Sequence, residues 1–224
     1  MSAPSPVRFA RIDPESDREI AELSRQRILC GWGLENVDHW RQLIREDRRN
    51  MYWIFPTDPA VTAALPDDEP LSLEAGKIGP PPPDPSFRPL GHVAVDWEDY
   101  DGEPTLASKD DRVCTLATFF ILKSQQGKGL GSFVMKEMER QAVSELNARA
   151  ITLNTVDGDR AADPAWWARI GVDAKAEVTR NNERWYERYG YVAYRRGVPR
   201  YPHKTPSGED ILLEAVFMRK ELQP

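Results

Sequence analysis

The chain has 224 residues and a formal net charge of −6, from 30 lysine and arginine residues against 36 aspartate and glutamate residues. Hydrophobic residues make up 40% and charged residues 29%, which excludes a disordered chain and is typical of an ordinary globular protein. A chain of this length buries a core without disulfides or metals, so the composition favours one folded domain and indicates no particular partner.

Three further features of the sequence bear on the compartment of the protein and on metal binding: its cysteines, its histidines and its N-terminal residues. Cys30 and Cys114 are too few for a disulfide framework and indicate a reducing compartment. His39, His92 and His203 are too far apart in sequence to predict a zinc site, so no metal is expected. No apolar leader begins the chain, and no stretch approaches the roughly 18 apolar residues of a membrane span. We therefore expect a cytoplasmic protein, with a nuclear location also open.

The residues before position 56 show the periodicity of two strands and two helices. Apolar residues at helical spacing predict amphipathic helices at Asp17–Leu29 and Asn36–Asp47. Short apolar runs at Val7–Ile12 and Met51–Phe55 predict strands before and after this helical pair.

A proline-rich segment interrupts this pattern between residues 56 and 90, where ten of the 19 prolines fall. Proline has no amide hydrogen to donate, so we expect a surface insertion without a regular helix or a central strand. The run Pro80–Pro83 is either a polyproline ligand for a partner domain or a stiff loop. The loop is the favoured interpretation, because no repeated, basic-flanked motif surrounds the run.

A strand–helix–strand unit follows the insertion. His92–Glu98 alternates between apolar and polar residues, as a strand with one polar face does. Arg112–Leu122 is almost continuously apolar and β-branched, as expected for a strand covered on both faces in the middle of a sheet. Residues 131–148 then show helical spacing and Ala150–Val156 returns to strand character, so the crossover requires two parallel strands.

The C-terminal part predicts one more helix and two more strands after a long connector. The helix is expected at Thr179–Tyr189, with its first residue as the N-cap and Gly190 as its stop. Strands are expected at Tyr191–Arg196 and Ile211–Met218. No internal repeat is visible, so residues 1–224 are predicted to form a single α/β domain whose mixed central sheet is flanked by helices.

The turn between the buried strand and its helix carries glycine at alternate positions: Gly127, Gly129 and Gly131. Glycine accepts positive φ and lets backbone amides approach a ligand, while the helix N-terminus adds unpaired amides and the positive end of its dipole. A diphosphate suits such a turn, and Lys128 adds a positive charge. The spacing matches neither a P-loop nor a dinucleotide fingerprint, because Lys128 lies between glycines and Ser132 stands where the last glycine would fall.

Two motifs in this order resemble the GNAT acetyltransferase superfamily. The segment Gln126–Gly131 (QGKGLG) fits the family's Q/R-x-x-G-x-G/A signature, and Tyr186 precedes Gly190–Tyr191 as in the family's second marker. The resemblance extends from about His92 to Leu222 and implies a GNAT-like fold with acetyl-CoA as cosubstrate. It also implies an N-acetyltransferase that moves the acetyl group to a primary amine by direct attack in a ternary complex.

The resemblance assigns roles to individual residues. Backbone groups near Phe119 and Ile121 would pair with the pantetheine arm, and an amide there would face the thioester oxygen. Tyr186 would be the general acid for the departing thiolate, since a phenol with a pKa of about 10 is protonated at neutral pH; packing on the sheet is its alternative role. Asn181 is the asparagine nearest to the position that the family often uses. The amides expected to hold the pyrophosphate belong to Gln126, Gly127, Lys128, Gly129, Leu130, Gly131 and Ser132.

The general base and the acceptor site have several candidates. Asp96 and Glu98, on the polar face of their strand, either reach an ammonium group directly or through water, or are simply solvated. Asn154, on the parallel strand, either binds the acceptor or is satisfied within the sheet. Trp166 and Trp167, in the long connector, either wall an acceptor pocket or anchor the loop.

Charge and thiol patterns add little to this assignment. The segment from Arg180 to Lys204 has a local excess of positive charge that could receive the coenzyme's phosphates or an acidic acceptor. Aromatic residues alternate with the basic ones there, as in surfaces that stack on nucleic-acid bases, but the net negative charge of the protein argues against a nucleic-acid ligand. Cys114 has no His near it in sequence, lies early in an apolar strand, and is expected to be a buried thiol. We therefore expect a small amine or a protein or peptide amine as acceptor, and no nucleic-acid or membrane partner.

A second hypothesis is a non-catalytic module of the same fold that binds an acyl-CoA and engages partners through the proline-rich insertion. The intact glycine turn and Tyr186 favour the enzyme, whereas Thr179 at the family's asparagine position leaves room for the module. The oligomeric state is left open by the sequence.

Overall fold

The computed structural model describes residues 5–69, 79–171 and 181–223, which form a seven-stranded sheet with helices against it. The strands are β1 (Val7–Arg11), β2 (Met51–Pro56), β3 (Gly91–Asp96), β4 (Val113–Ile121), β5 (Ala150–Val156), β6 (Val192–Lys204) and β7 (Asp210–Glu221). Their order in the sheet is β1-β2-β3-β4-β5-β7-β6. Only β4 and β5 are parallel, and every other neighbouring pair is antiparallel. The sheet is therefore mixed, as predicted.

Seven helices connect these strands within the described residues. They are α1 (Asp17–Cys30), α2 (Val37–Arg45), α3 (Pro59–Ala63), α4 (Leu130–Ser144), α5 (Gly158–Ala161), α6 (Pro164–Ile170) and α7 (Asn182–Glu187). Among these helices, none has the length and apolar character that crossing a membrane requires.

Two hydrophobic clusters cover the two faces of the sheet. Val134 of α4 packs in one cluster with Leu116 of β4. Leu23 of α1 and Trp40 of α2 pack in the other, together with Ala117, the next residue of β4. Because neighbouring strand residues point to opposite faces, α4 covers one face and the α1–α2 pair covers the other. The predicted β4–α4–β5 crossover and the burial of β4 on both faces are thus confirmed.

β3 is buried along its whole length, so the polar face expected for it is wrong. Asp96 at its end is 1% exposed, whereas Glu98, beyond the strand, is partly exposed. Buried His92 places Nδ1 2.8 Å from Gln26 Oε1 and Nε2 3.3 Å from Arg27 Nη1. Arginine can only donate, so Nε2 accepts and Nδ1 carries the proton. Helices α1 and α2 supply the apolar cover and polar partners that the strand pattern by itself does not show.

A gap opens between β4 and β5. Their ladder pairs only Val113–Thr115 with Ala150–Thr152, although β4 continues to Ile121 and β5 to Val156. Beyond the ladder, β5 stays paired with β7 to the end. The later part of β4 therefore has its strand neighbour β3 on one side and no strand on the other.

The proline-rich insertion is partly integrated into the fold. A short helix, α3, forms at its start with Pro59 in the first turn, where a missing amide hydrogen costs nothing, so the exclusion of any helix there is wrong. Leu65, Phe87 and Leu90 are buried. Among the described residues of the Pro80–Pro83 run, the carbonyl of Pro81 accepts a hydrogen bond from Arg25 Nε at 3.2 Å.

The C-terminal elements differ in extent from the prediction. The predicted strand Ile211–Met218 lies within β7, and the predicted strand Tyr191–Arg196 begins one residue before β6; the observed strands are longer, at 13 residues for β6 and 12 for β7. The connector is not structureless, since it contains α5 and α6. Helix α7 begins at Asn182, whereas the predicted N-cap, Thr179, lies outside the described residues.

Candidate active site

The glycine turn presents an uninterrupted row of backbone amides. Gly127 has φ +76° and Gly129 has φ +81°, a region that glycine enters without strain. The amides of Gly127 to Ser132 donate no hydrogen bond to any described residue. A Cβ on Gly127 or Gly129 would meet nothing within 4 Å, so the turn is open on its outer side. These six amides can therefore bind a ligand that carries several acceptor oxygens.

The turn also forms the N-terminus of a long helix. Gly129 is the N-cap of the 15-residue helix α4 and provides no side-chain cap. Unpaired amides and the positive end of the helix dipole both favour an anion at this position. Gln126 Nε2 donates to the carbonyl of Ile121 at 2.7 Å, and Lys128 Nζ lies 3.1 Å from Gln125 Oε1. The first contact closes the turn onto the end of β4, and the second holds an exposed ammonium group beside it.

Helix α7 packs against this N-terminus through aromatic rings. A Cβ on Gly131 would lie 3.3 Å from Trp185 Cζ2, which is closer than ordinary van der Waals contact. Glycine at this position therefore leaves room for the indole ring. The Ser132 hydroxyl is hydrogen-bonded to the Tyr189 hydroxyl. Phe119 of β4 lies 6.4 Å from Trp185 between ring centroids. The second sequence motif is thereby brought against the first.

Tyr186 lies beside the same cluster. Its ring is 4.9 Å from Trp185 and 5.9 Å from Tyr191 between centroids, and the residue is partly buried. Its hydroxyl has no hydrogen-bond partner among the described residues. Burial raises the pKa of the Tyr186 phenol above its ordinary value. The phenol therefore stays protonated at neutral pH.

Asn181 has a local structural role. Its Oδ1 accepts from the amide of Arg184 at 3.0 Å, which caps α7, and its Nδ2 donates to the carbonyl of Gly158 at 3.0 Å. The carbonyl and the amino group of this side chain are both used in joining α7 to α5. A contact with the coenzyme would compete with these bonds.

The two carboxylates proposed as bases have different surroundings. Glu98 accepts two hydrogen bonds from Arg48, at 2.8 and 2.9 Å, and Arg48 holds its pKa below the usual value. Asp96 accepts from the amide of Asn50 at 2.6 Å and lies 3.2 Å from Arg49 Nη1. Burial raises the pKa of Asp96 to about 6, although Arg49 acts in the opposite direction. Glu98 is therefore the weaker base of the two.

A pocket of about 210 Å³ lies beside these carboxylates under α2. Its lining includes four carboxylates and two guanidinium groups: Asp96, Glu98, Asp99, Asp101, Arg48 and Arg49. Asp99 is bound by Arg200, whose Nη2 lies 2.9 Å from each carboxylate oxygen. Half-exposed Asp101 is 3.2 Å from the same nitrogen. With Arg200 beside Asp99 and Asp101, the four carboxylates of the pocket exceed the neighbouring guanidinium groups by one.

Arg49 connects this pocket to the gap. It lies in the polar stretch between α2 and β2, yet it is 1% exposed. Its Nη2 donates to Thr118 Oγ1 at 2.9 Å. Nothing in the local sequence signals this burial, because the covering rings of Trp40 and Tyr100 come from other segments.

Asn154 and Tyr201 lie on the same side of the gap. Asn154 is two residues beyond the β4–β5 ladder, and Tyr201 of β6 donates to its Oδ1 at 2.5 Å. The Nδ2 group of Asn154 has no partner among the described residues, so this bond leaves a donor to face a ligand. Burial raises the pKa of Tyr201 well above its ordinary value, which keeps the phenol a donor. Sequence reasoning found Asn154 and missed Tyr201, because β6 is longer than predicted.

The tryptophan pair and the basic segment are used structurally. Trp166 and Trp167 are buried, with ring centroids 4.7 Å apart, in a cluster with Leu213. Arg196 is bound to Glu183. Further basic residues of the segment are also paired: Arg195 with Glu103, Arg200 with Asp99, and Lys204 with Asp210. Four basic residues of the segment are therefore held in ion pairs.

Thiol and metal chemistry find little support in the described parts of the chain. Cys114 is buried and contacts the carbonyl of Ala150 through its Sγ at 3.7 Å. Burial raises the pKa of its thiol to about 12, so it is not a nucleophile at neutral pH. Over residues 5–69, 79–171 and 181–223, no group of three His, Cys, Asp or Glu side chains is arranged to hold a metal ion.

Comparison with known proteins gives one family and one fold. The sequence model of the acetyltransferase (GNAT) family matches residues 21–172. A sequence search of curated proteins gives no match. Spermidine N-acetyltransferase from Vibrio cholerae, in complex with CoA and spermine, superposes with a TM-score of 0.57 at 11% identity, covering 98% of this chain and 97% of that one. A GNAT-family protein from Desulfovibrio desulfuricans, described as a putative acetyltransferase, has a TM-score of 0.51 at 16% identity and covers 97% and 99%. At these identities, the structural likeness concerns the fold.

Proposed function

The chain belongs to the acetyltransferase (GNAT) family, and we propose that it is an N-acetyltransferase that moves the acetyl group of acetyl-CoA to a primary amine by direct attack in a ternary complex. The observation that carries the proposal is the row of six unpaired amides from Gly127 to Ser132, placed at the head of α4 next to the gap between β4 and β5. A pyrophosphate bound there directs the attached pantetheine arm along β4.

The residues present fit an acyl-CoA donor. The amides of the turn supply donors for phosphate oxygens, and Lys128 supplies a cation beside them. From Leu116 onward, β4 has no strand on its β5 side, so peptide groups near Phe119 and Ile121 are available to the amides of the arm. An amide of this stretch that faces the thioester oxygen would stabilise the negative charge that develops there.

Tyr186 is the proposed general acid. When the amine attacks the acetyl carbonyl, a tetrahedral adduct forms, and its collapse breaks the carbon–sulfur bond and releases a thiolate. A coenzyme thiolate with a pKa of about 8.5 takes a proton readily from a neighbouring phenol or is stabilised by its hydrogen bond. The unpartnered hydroxyl of Tyr186 is suited to this step.

Asp96 is the proposed general base, acting directly or through water. Its raised pKa of about 6 is closer to neutrality than that of Glu98, which Arg48 lowers, and a base works best with a pKa near the operating pH. Asp96 also lines the pocket that is connected to the gap through Arg49. Asn154 Nδ2 would orient the acceptor from the β5 side.

The pocket favours a small acceptor that carries positive charge, because carboxylates outnumber guanidinium groups among its lining residues. Spermidine and spermine, named for the Vibrio cholerae enzymes, belong to this class and are the first acceptors to test. Amino acids and a lysine-containing peptide complete the panel, since a peptide amine is the other acceptor class.

Release of free coenzyme A over this panel tests the function. Calorimetry with acetyl-CoA is run beside it, using the full chain. Binding together with thiol release for at least one amine is the expected result. Binding without release for any amine would favour the acyl-CoA-binding module, for which the use of Asn181 as a helix cap is the one favourable observation. Absence of binding at millimolar acetyl-CoA would remove both functions.

A further inference from the structure

Arg49 is a buried cation that contacts two aromatic rings and one carboxylate. Its guanidinium carbon lies 4.8 Å from the Trp40 ring centroid and 5.1 Å from that of Tyr100, and these two rings pack edge to face with their centroids 5.6 Å apart. Asp96, equally buried, lies 3.2 Å from Nη1 and compensates the charge. A buried charge is costly unless it is paired, so this arrangement fixes the guanidinium at one place.

The third contact of Arg49 is with a distorted part of β4. Thr118 has φ +48°, and a positive φ is a genuine outlier for a β-branched residue. The ladder with β3 pairs Phe120 with His92 and Ala117 with Ala94, so Thr118 and Phe119 together oppose a single residue. This is a β-bulge, which re-aims the backbone at one point of a strand.

The bulge lies where β4 borders the gap. It begins three residues beyond Thr115, the last β4 residue paired with β5. Backbone groups of Thr118 and Phe119 therefore belong to the stretch that we assign to the thioester end of the donor. Strained backbone persists only where its surroundings hold it. The hydrogen bond from Arg49 Nη2 to Thr118 Oγ1 is such a restraint, and it comes from outside β4.

We infer that Arg49 is a positioning residue for acetyl transfer, which holds the Thr118 bulge so that the β4 backbone faces the acyl carbonyl. Arg49 acts through Thr118 and touches no reacting atom. The inference rests on the proposed function, because it assigns the acyl carbonyl to the gap. The guanidinium of Arg49 is held by Asp96, Trp40 and Tyr100. In turn, it restrains the bulge through its hydrogen bond to Thr118.

Thr118→Val tests this link without removing the buried ion pair. Valine keeps the branched shape and loses only the hydroxyl, so the guanidinium has nothing to hold in β4. We expect kcat to fall at least about tenfold while the dissociation constant for acetyl-CoA is unchanged, because a misplaced reacting group affects the transition state more than ground-state binding. Thr118→Ser keeps the hydroxyl and should recover most of the lost rate.

Arg49→Lys provides the second variant. Lysine keeps a positive charge for Asp96 but cannot also reach Thr118 with a planar fork, so its kcat should fall in the same way. Thermal unfolding and acetyl-CoA titration of each variant separate this effect from loss of the fold. Wild-type kcat in Thr118→Val, or equal losses in Thr118→Val and Thr118→Ser, would overturn the inference while leaving the proposed function intact. A wild-type chain that releases no thiol would overturn both.

Discussion

The side of the gap that we assign to the donor consists of backbone groups, whereas the side that we assign to the acceptor consists of side chains. On the side that we assign to the donor, Gly127 to Ser132 present unpaired main-chain amides that are contiguous in sequence, and these residues are exposed or partly exposed. On the side that we assign to the acceptor, Asn154 and Tyr201 are side chains from distant segments that are joined by a hydrogen bond. Main-chain amides at a helix N-terminus can bind a diphosphate whatever the neighbouring side chains are. Selection among acceptors, in contrast, depends on side chains that single substitutions can change.

Gly129→Val is expected to have the largest effect, and it acts on the donor side alone. Gly129 has φ +81°, which valine adopts only with strain, so the amides of the turn would be displaced. Loss of two charge-assisted hydrogen bonds corresponds to about a 1000-fold weaker affinity for acetyl-CoA, measured by calorimetry. Gly208→Val is the matched control, because Gly208 has φ +87° and equally open surroundings. Equal affinities in the two variants would contradict the assignment of the turn.

Tyr186→Phe is expected to lower kcat about 100-fold with little change in acetyl-CoA affinity, because only the proton donor is lost. Thiol release at saturating substrates measures the effect. The partly exposed Tyr194, which donates to the carbonyl of Thr105 at 2.8 Å, supplies the control Tyr194→Phe. Since burial raises the pKa of Tyr186, the wild-type kcat should show no fall from deprotonation of this phenol below pH 10. Unchanged turnover in Tyr186→Phe would remove the general-acid role.

Acid should lower the free energy of unfolding through the buried side chain of His92. Burial, with Arg27 and Arg49 nearby, lowers the pKa of His92 well below 6.5. Below pH 6.5 the unfolded chain therefore binds a proton that the folded chain excludes, and the free energy of unfolding falls by about 1.4 kcal/mol per pH unit. Urea unfolding at pH 7.5 and 5.5 measures this loss.

The same comparison with His92→Gln isolates the histidine. Asp96 acts in the opposite direction, because its raised pKa of about 6 lets the folded chain gain a proton between pH 6 and 4. The free energy of unfolding of His92→Gln is therefore compared with that of wild type at each pH, and the variant is expected to lose less of it between pH 7.5 and 5.5. The exposed histidine variant His39→Gln should behave as wild type. A His92→Gln protein with the full wild-type loss would show that another group is responsible.

Tyr201→Phe should have the smallest effect and act only on acceptor binding. One hydrogen bond of about 1 kcal/mol is lost at Asn154 Oδ1, so the acceptor KM should rise about fivefold while acetyl-CoA affinity stays constant. Initial rates at varied acceptor concentration, with saturating acetyl-CoA, measure the change. A lower affinity for acetyl-CoA with an unchanged acceptor KM would place this hydrogen bond on the donor side.

The sequence predicted the β4–α4–β5 unit and the form of the glycine turn because both depend on local patterns. Each part of this unit is recognisable from local sequence alone: the apolar run of β4, the helical spacing after Gly131, and the return to strand character at Ala150. The structure confirms this unit from Val113 to Val156. Alternating glycines likewise require the open turn that the structure shows, with positive φ at Gly127 and Gly129.

Prediction was wrong where burial depends on distant segments. Alternation in β3 suggested a polar face, but both Asp96 and His92 are buried. Helix α1 supplies the partners of His92, and Arg49, which follows α2, is the ion-pair partner of Asp96. The proline content of the insertion excluded any helix, yet a proline in the first turn is compatible with one at Pro59. The long connector gave no helical period, because α5 and α6 are too short to show one.

The sequence by itself determined the central crossover and a turn rich in free amides, since these follow from the conformations that neighbouring residues allow. Only the tertiary structure decided that Arg49 would be buried against Asp96 and bound to Thr118, and that Tyr201 would fix Asn154. The physical reason is that the cost of burying a charge or a polar group is offset by partners far away in sequence, and those partners are set by the packing of whole helices and strands.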